Sequence, residues 1–154
     1  MPDIKYNGPR VRYIDLAEDK VFMADPSTPV QELAGTMVEH WIDSIFIVDK
    51  GEKLLGIVTD GVLLTLIARD ADLSEKTAKE IMATPVYSVK QDDPILPYSK
   101  LVETFSKRHN RVNRLAIVDE QDRLVGVLNM NILKKIGRFS RSYEITLKKK
   151  TEED

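Results

Sequence analysis

Two blocks of this sequence recur at a fixed separation of 70 residues. The tripeptide Ile-Val-Asp at 47–49 returns at 117–119, and Leu-Leu-Gly-Ile-Val at 54–58 returns as Leu-Val-Gly-Val-Leu at 124–128. Both blocks keep one offset without a gap, which chance similarity between apolar strands rarely produces. The chain is therefore predicted to contain one small structural unit twice.

Each block predicts a β-hairpin. Residues 44–59 form two apolar runs rich in β-branched residues around a polar turn, and residues 115–129 repeat this pattern. Gly56 and Gly126 hold the same position in the two return strands. A glycine inside a strand indicates that another backbone or a ligand approaches closely.

Helices are predicted on both sides of each hairpin. The helix before the first hairpin has an apolar face with helical spacing, formed by Val30, Leu33, Ala34, Met37, Val38 and Trp41. Ser27 or Thr28 is expected to cap it, and Pro29 suits its first turn. The corresponding helix of the second copy carries Tyr98, Leu101, Val102 and Phe105, and short opening strands are expected at 21–24 and 86–89.

These elements give an α+β fold built from two β-α-β-β-α units. Residues 1–70 hold an N-terminal segment and the first unit. Residues 71–139 hold a linker with a short helix and the second unit, and residues 140–154 form a charged tail.

Composition limits the function classes. The formal net charge is −2, so bulk charge does not favour nucleic acid or a membrane surface. There is no cysteine and there are two histidines, which disfavours thiol chemistry and histidine-based metal sites. The sequence offers no nucleophile–base set and no phosphate loop, so an enzyme is not expected. No apolar run suits a membrane span or a signal peptide, and a cytoplasmic location is expected.

The sequence resembles a pair of cystathionine-β-synthase (CBS) domains. The carrying segments are residues 78–82 before 86–89, then 113–119, and Gly-Ile-Val-Thr at 56–59, with residues 11–17 opening the first copy similarly. Their order, duplication and spacing together carry the resemblance, which covers about residues 10–139.

The resemblance implies two repeats packed with pseudo-twofold symmetry, a homodimer, and clefts between the repeats. It also implies that these clefts hold adenosine derivatives such as AMP, ADP, ATP or S-adenosylmethionine, with no cofactor required. In nucleotide-binding members a return strand ends as Gly-apolar-apolar-Thr/Ser-x-x-Asp. The hydroxyl and the helix N-terminus face phosphate, and the acid accepts from ribose.

Both copies depart from that motif. Thr59 is retained in the first copy, but Val62 stands in place of the acid; in the second copy Asn129 and Ile132 replace the hydroxyl and the acid. Asp60 and Asn131 are nearby substitutes. Alternatively, these polar residues simply cap the helices that follow them.

Further ligand-binding candidates lie near the opening strands and in a basic segment. The expected positions are Ala24, Asp25, Val86 and Tyr87, where Tyr87 either meets adenine or faces outward. Arg111 and Arg114 belong to the basic segment at 107–114, which either holds a phosphate or is a solvated helix end.

Two functional hypotheses remain open. The first is a stand-alone regulatory module that senses an adenosine ligand and signals to an unidentified effector protein. The second is a structural or oligomerisation module whose pockets have lost their ligand, which the missing acids at 62 and 132 favour.

Overall fold

The structure is a computed structural model that describes residues 11–18, 20–97, 100–101, 103 and 114–135. Each repeat contributes a three-stranded sheet whose central strand pairs in parallel with the opening strand and antiparallel with the return strand. The strands are β1 (Met23–Ala24), β2 (Ser44–Val48), β3 (Leu54–Thr59), β4 (Ser88–Lys90), β5 (Arg114–Val118) and β6 (Leu124–Asn129).

The two sheets have the same register. Gly56 lies opposite Ile47 in the first, and Gly126 lies opposite Ile117 in the second. The offset of 70 residues therefore holds in three dimensions, and the predicted duplication is confirmed. The opening strands are shorter than predicted, and Val86 precedes β4 instead of lying in it.

The repeated aspartates hold the hairpin turns. Asp49 Oδ1 accepts from the amides of Gly51 and Lys53, both at 2.9 Å. Asp119 Oδ1 accepts from the amides of Gln121 and Arg123, also both at 2.9 Å. A carboxylate that fixes its own turn in this way explains why the tripeptide recurs.

The hairpin turns also join the repeats reciprocally. The Leu54 amide donates to the Asp122 carbonyl at 3.1 Å, and the Leu124 amide donates to the Glu52 carbonyl at 2.9 Å. Adding 70 to the donor number of the first bond and subtracting 70 from its acceptor number gives the second bond. This reciprocity is local evidence for the predicted pseudo-twofold packing.

Three α-helices with complete bounds flank the sheets: α1 (Val30–His40), α2 (Asp60–Ala68) and α3 (Ala78–Ile81). A 3₁₀ turn at Tyr13–Leu16 holds the place in the first repeat that α3 holds in the second. The short linker helix is thus confirmed as α3. None of the helices described is long and apolar enough to cross a membrane.

The predicted cap of α1 was wrong. Its N-cap is Pro29, which supplies no side-chain hydrogen bond. The Thr28 carbonyl instead accepts from the Ala78 amide at 2.8 Å, and the Val30 amide donates to the Lys76 carbonyl at 3.0 Å. Contacts with the linker therefore satisfy the start of α1, so no capping side chain is needed.

The core is divided into one cluster around each sheet and a third that joins the two repeats. Phe46 and Val48 of the first repeat pack with Ala116, Leu124 and Val127 of the second in the shared cluster. All five side chains are buried. Continuous apolar packing of this kind ties the two repeats into one body.

Two residues predicted on the apolar face of α1 are exposed. Trp41 is 94% exposed and Val38 is 76% exposed, so Trp41 does not fill the core. Trp41 terminates α1 in the left-handed conformation, with φ of 53°, which turns it off the buried face. Helical spacing alone could not reveal this change of backbone conformation.

The second repeat is described less fully. Residues 100–101, 103 and 130–135 are helical, and Leu101 and Leu133 are buried as predicted. Tyr98, Val102, Phe105 and the tail at 140–154 lie outside the described residues.

Candidate functional site

A cleft of about 740 Å³ opens between the two repeats. One wall comes from β2, β3 and α2, and the other comes from residues 83–87 and the start of β5. The lining residues are Asp43, Ser44, Ile57, Thr59, Asp60, Gly61, Val62, Thr65, Leu66, Arg69, Ala83, Pro85, Val86, Tyr87 and Arg114. The volume lies within the usual range for small-molecule sites.

Gly56 brings the two walls together. A Cβ at Gly56 would lie 2.5 Å from Met82 Sδ and 2.7 Å from Met82 Cγ, so Met82 approaches the strand only because residue 56 has no side chain. Ile57 and Ala83 then exchange two backbone hydrogen bonds, of 3.1 and 2.8 Å. This pairing places residues 83–87 beside the end of β3, and it confirms the close approach predicted from the glycine.

The first turn of α2 forms the polar end of the cleft. Thr59 is the N-cap, and its Oγ1 accepts from the Val62 amide at 3.2 Å. Asp60 Oδ1 accepts from the Gly61 amide at 2.7 Å, and the Asp60 amide donates to the Asp43 carbonyl at 3.0 Å. The capping role considered for Thr59 is therefore present in the structure.

Arg114 connects the cleft wall of the second repeat to the first. Its Nη1 donates to Asp43 Oδ1 at 2.8 Å, and its Nε lies 3.7 Å from Glu18 Oε1. The Nε atom is buried and has no hydrogen-bond partner. The guanidinium is three-quarters buried, and the carboxylates of Asp43 and Glu18 lie beside it.

Five of the ten predicted site residues line this cleft: Thr59, Asp60, Val86, Tyr87 and Arg114. Residues of both repeats that are far apart in sequence thus meet at one place, as the resemblance implied. Arg111 lies outside the described residues.

The other four predicted residues lie elsewhere. The Asn129 side chain accepts from the Asn131 amide at 2.9 Å, which is a local helix-start contact. Asp25 accepts hydrogen bonds from the side chain and the amide of Ser27, and these bonds lower its pKa. Ala24 pairs with Ile47 in the first sheet.

Register shows why Ala24 and Asp25 differ from Val86. The Phe22 carbonyl bonds to the Phe46 amide, and the Tyr87 carbonyl bonds to the amide of Ala116, the residue equivalent to Phe46. Phe22 is therefore the counterpart of Tyr87, and Ala24 and Asp25 lie beyond the equivalent position. An equivalent cleft wall in the first repeat would use residues 21 and 22.

Asp43 and Ser44 line the cleft but were not predicted. The signal for Ser44 was available, because the 70-residue offset makes it the counterpart of Arg114, and the register confirms the equivalence. Asp43 had no such signal, since its importance comes from an ion pair between repeats. No cluster of metal-ligating side chains occurs among the described residues.

Comparisons with known proteins agree with this architecture. The family model described as CBS domain matches twice, at residues 14–69 and 78–136. An uncharacterized protein of Methanocaldococcus jannaschii, MJ1232, is 28% identical over 137 residues, which are 88% of this chain and 43% of that protein. The chain thus spans less than half the length of this relative.

Solved structures show the same fold. The CBS domain pair of protein MJ0100, in complex with 5′-methylthioadenosine and S-adenosyl-L-methionine, aligns with a TM-score of 0.67 and 24% identity, covering 83% of this chain and 96% of the other. CBS domain protein PAE2072 from Pyrobaculum aerophilum, complexed with AMP, aligns with a TM-score of 0.65 and 20% identity, covering 79% and 88%. With two matched repeats, the chain belongs to the CBS domain family.

Proposed function

We propose that this CBS pair is a regulatory module that binds an adenosine-containing ligand in the cleft between its repeats. The observation that carries the proposal is the cleft itself, which has a ligand-sized volume and walls from both repeats. Structurally similar CBS proteins form complexes with AMP, or with 5′-methylthioadenosine and S-adenosyl-L-methionine.

The cleft has an apolar part and a polar part, which suit the base and the sugar of a nucleoside. Apolar side chains for a base come from β3, α2 and the segment before β4, namely Ile57, Val62, Leu66, Pro85 and Val86. Polar groups for the sugar and its substituent come from Thr59, Ser44 and Arg114. Binding would use the apolar wall for affinity and the polar groups for orientation.

Signalling would pass through the contact between the repeats. Arg114 of the second repeat holds Asp43 of the first at 2.8 Å, at the cleft wall. A ligand that engages Arg114 changes this ion pair, and it shifts the conformational population only if it binds the two states with different affinity. The output then passes to an effector protein.

Thermal unfolding with AMP, ADP, ATP, S-adenosylmethionine and NAD at millimolar concentration tests the proposal. A ligand at 100 times its Kd adds about 2.7 kcal/mol to the free energy of unfolding. We expect Arg114→Ala to weaken the stabilisation. Arg123→Ala is the matched control, because Arg123 forms an ion pair with Asp119 outside the cleft.

A second variant tests the sugar position directly. Val62→Asp restores the carboxylate that the family motif places there, at the start of α2. A hydrogen bond to a charged group contributes about 1.5–3 kcal/mol, so this variant should tighten adenosine-ligand binding at least about tenfold. Unchanged affinity would mean that the ligand sugar does not lie beside residue 62.

The second candidate function is a structural module without a ligand. The observations that favour it are the apolar residues at 62 and 132 and the capping of α2 by Thr59. The same assay separates the two functions, since a structural module shows no thermal shift with any of the five compounds.

The homodimer remains a proposal, supported by exposed apolar residues on two helices that contact each other. Val38 and Trp41 project from the end of α1, and Leu64 and Ile67 project from α2 with 65% and 62% exposure. Large exposed apolar side chains grouped in this way are typical of an interface. Sedimentation of the wild type and of Trp41→Glu tests it, with the variant expected to be monomeric.

A further inference from the structure

The charges along the cleft distinguish between classes of adenosine ligand. Among the described residues that line it, the charged side chains are Asp43, Asp60, Arg69 and Arg114. In this described part of the lining, two acids therefore balance two arginines, and none of the residues is a lysine or a histidine. A site for a polyphosphate usually presents an excess of cations or free amides.

The more buried of the two arginines is already neutralised. Arg114 donates to Asp43 at 2.8 Å and has a second carboxylate, that of Glu18, at 3.7 Å. Arg69 is exposed at the C-terminal end of α2, away from its N-terminus. A phosphate that binds Arg114 must compete with two carboxylates, whereas a cationic ligand group gains from them.

The N-terminus of α2 is also closed to an anion. The Asp60, Gly61 and Val62 amides are all used, by the Asp43 carbonyl, the Asp60 carboxylate and the Thr59 hydroxyl. The Asp60 carboxylate itself compensates the positive end of the helix dipole. An incoming phosphate would have to displace these contacts and would be repelled by Asp60.

We propose that this cleft selects adenosine derivatives whose 5′ substituent is neutral or cationic, a thioether or a sulfonium, over nucleotides that carry phosphate. Asp60 is the specificity-determining residue, because its carboxylate repels phosphate and attracts a sulfonium, while Asp43 competes with a phosphate for Arg114. The inference rests on the proposed function, since it names the ligand class of the same cleft.

Calorimetric titration of the whole chain with S-adenosylmethionine, 5′-methylthioadenosine, AMP and ATP tests the inference. We expect both sulfur compounds to bind at least about tenfold more tightly than ATP. The preference for S-adenosylmethionine over 5′-methylthioadenosine should shrink at high salt, because salt screens its attraction to Asp60.

Asp60→Asn tests the mechanism of selection. Asparagine can still accept from the Gly61 amide but carries no charge, so S-adenosylmethionine should bind about fivefold more weakly while ATP binds more tightly. Asp72→Asn is the matched control, since Asp72 likewise accepts from a nearby amide, that of Ser74, but lies outside the cleft.

The outcomes separate this inference from the proposed function. ATP or AMP binding as tightly as the sulfur compounds would overturn the charge selection and leave the nucleoside cleft standing. An Asp60→Asn variant with an unchanged affinity ratio would also overturn it. No binding by any of the four compounds would overturn both proposals.

Discussion

In the first repeat Ser44 begins the central strand, whereas Arg114 holds the equivalent position in the second. Around this pair the sheets share their order, their register and their glycine. The repeats thus share the residues that form the sheets and differ in the residues that line the cleft between them. Since one wall of the cleft comes from each repeat, this divergence allows one chain to present unlike chemistry on the two walls.

The same contrast applies to the close approaches at the two glycines. In the first repeat a Cβ at Gly56 would meet three Met82 atoms at 2.5 to 3.0 Å, whereas a Cβ at Gly126 would meet Ala17 Cβ at 3.1 Å and Ile14 Cδ1 at 3.3 Å. The return strand of the first repeat therefore lies closer to the linker than the return strand of the second repeat lies to the N-terminal segment.

The largest expected effect comes from adding a methyl group at these positions. Gly56→Ala should lower the free energy of unfolding by about 3 kcal/mol, because Met82 and the Ile57–Ala83 backbone pair must move. Gly126→Ala should cost about 1 kcal/mol, since its neighbours need to shift by only a few tenths of an ångström. Urea unfolding measures both values.

Gly51→Ala is the control for the effect of a Gly-to-Ala change on the conformational entropy of the unfolded chain. The nearest atom to its new Cβ would be Asp49 Oδ1 at 3.5 Å, an ordinary contact, so the change should stay within about 0.5 kcal/mol. Equal costs at Gly56 and Gly126 would contradict the asymmetry of the two contacts.

A smaller difference is expected between the two hairpin aspartates. Asp119 is buried, and besides its turn bonds it pairs with Arg123 Nε at 2.7 Å, whereas Asp49 is half-buried and accepts from the amides of its own turn. Asp119→Ala should therefore lower the urea midpoint more than Asp49→Ala. A larger loss from Asp49→Ala would show that the added ion pair contributes nothing to stability.

Acid should reduce the effect of the Asp119 substitution. Burial opposes ionisation of Asp119, but hydrogen bonds from Arg123 and Gln121 outweigh it and lower the pKa. A carboxyl with a lowered pKa in the folded state stabilises the fold above that range and loses this contribution as pH falls through the folded pKa. The gap between wild type and Asp119→Ala should thus be widest at neutral pH and narrow in acid.

Much of the sheet and hairpin structure could be predicted from the sequence, because the sequence patterns that indicate it are local. The apolar runs of β2 and β5, the turn aspartates and the glycines each depend on neighbours within one hairpin. Each hairpin pattern alone is weak evidence, but their constant separation of 70 residues makes the prediction of a duplicated unit strong. Thr59 was predicted as a site residue because it ends the return strand and matches the hydroxyl position of the motif that the resemblance implied.

The cleft itself depended on contacts that local patterns do not encode. The Asp43–Arg114 ion pair joins residues 71 positions apart and forms only when the repeats pack. Trp41 continued a helical pattern, but the left-handed backbone at the end of α1 places it in solvent. In both cases tertiary geometry decided the outcome, and the sequence held no periodic signal for it.

The smallest expected effect comes from exchanging the residues that open the final helix of each repeat. Thr59 accepts from the Val62 amide and Asn129 accepts from the Asn131 amide, so each caps a helix start. Thr59→Asn should change the free energy of unfolding by no more than about 0.5 kcal/mol, since both residue types are good caps. If Thr59 also binds the ligand sugar, its hydroxyl is lost in this variant, and affinity for S-adenosylmethionine should fall while stability stays constant. A loss of stability with unchanged affinity would instead mean that Thr59 only caps α2. The functional difference between the repeats would then lie at Ser44 and Arg114.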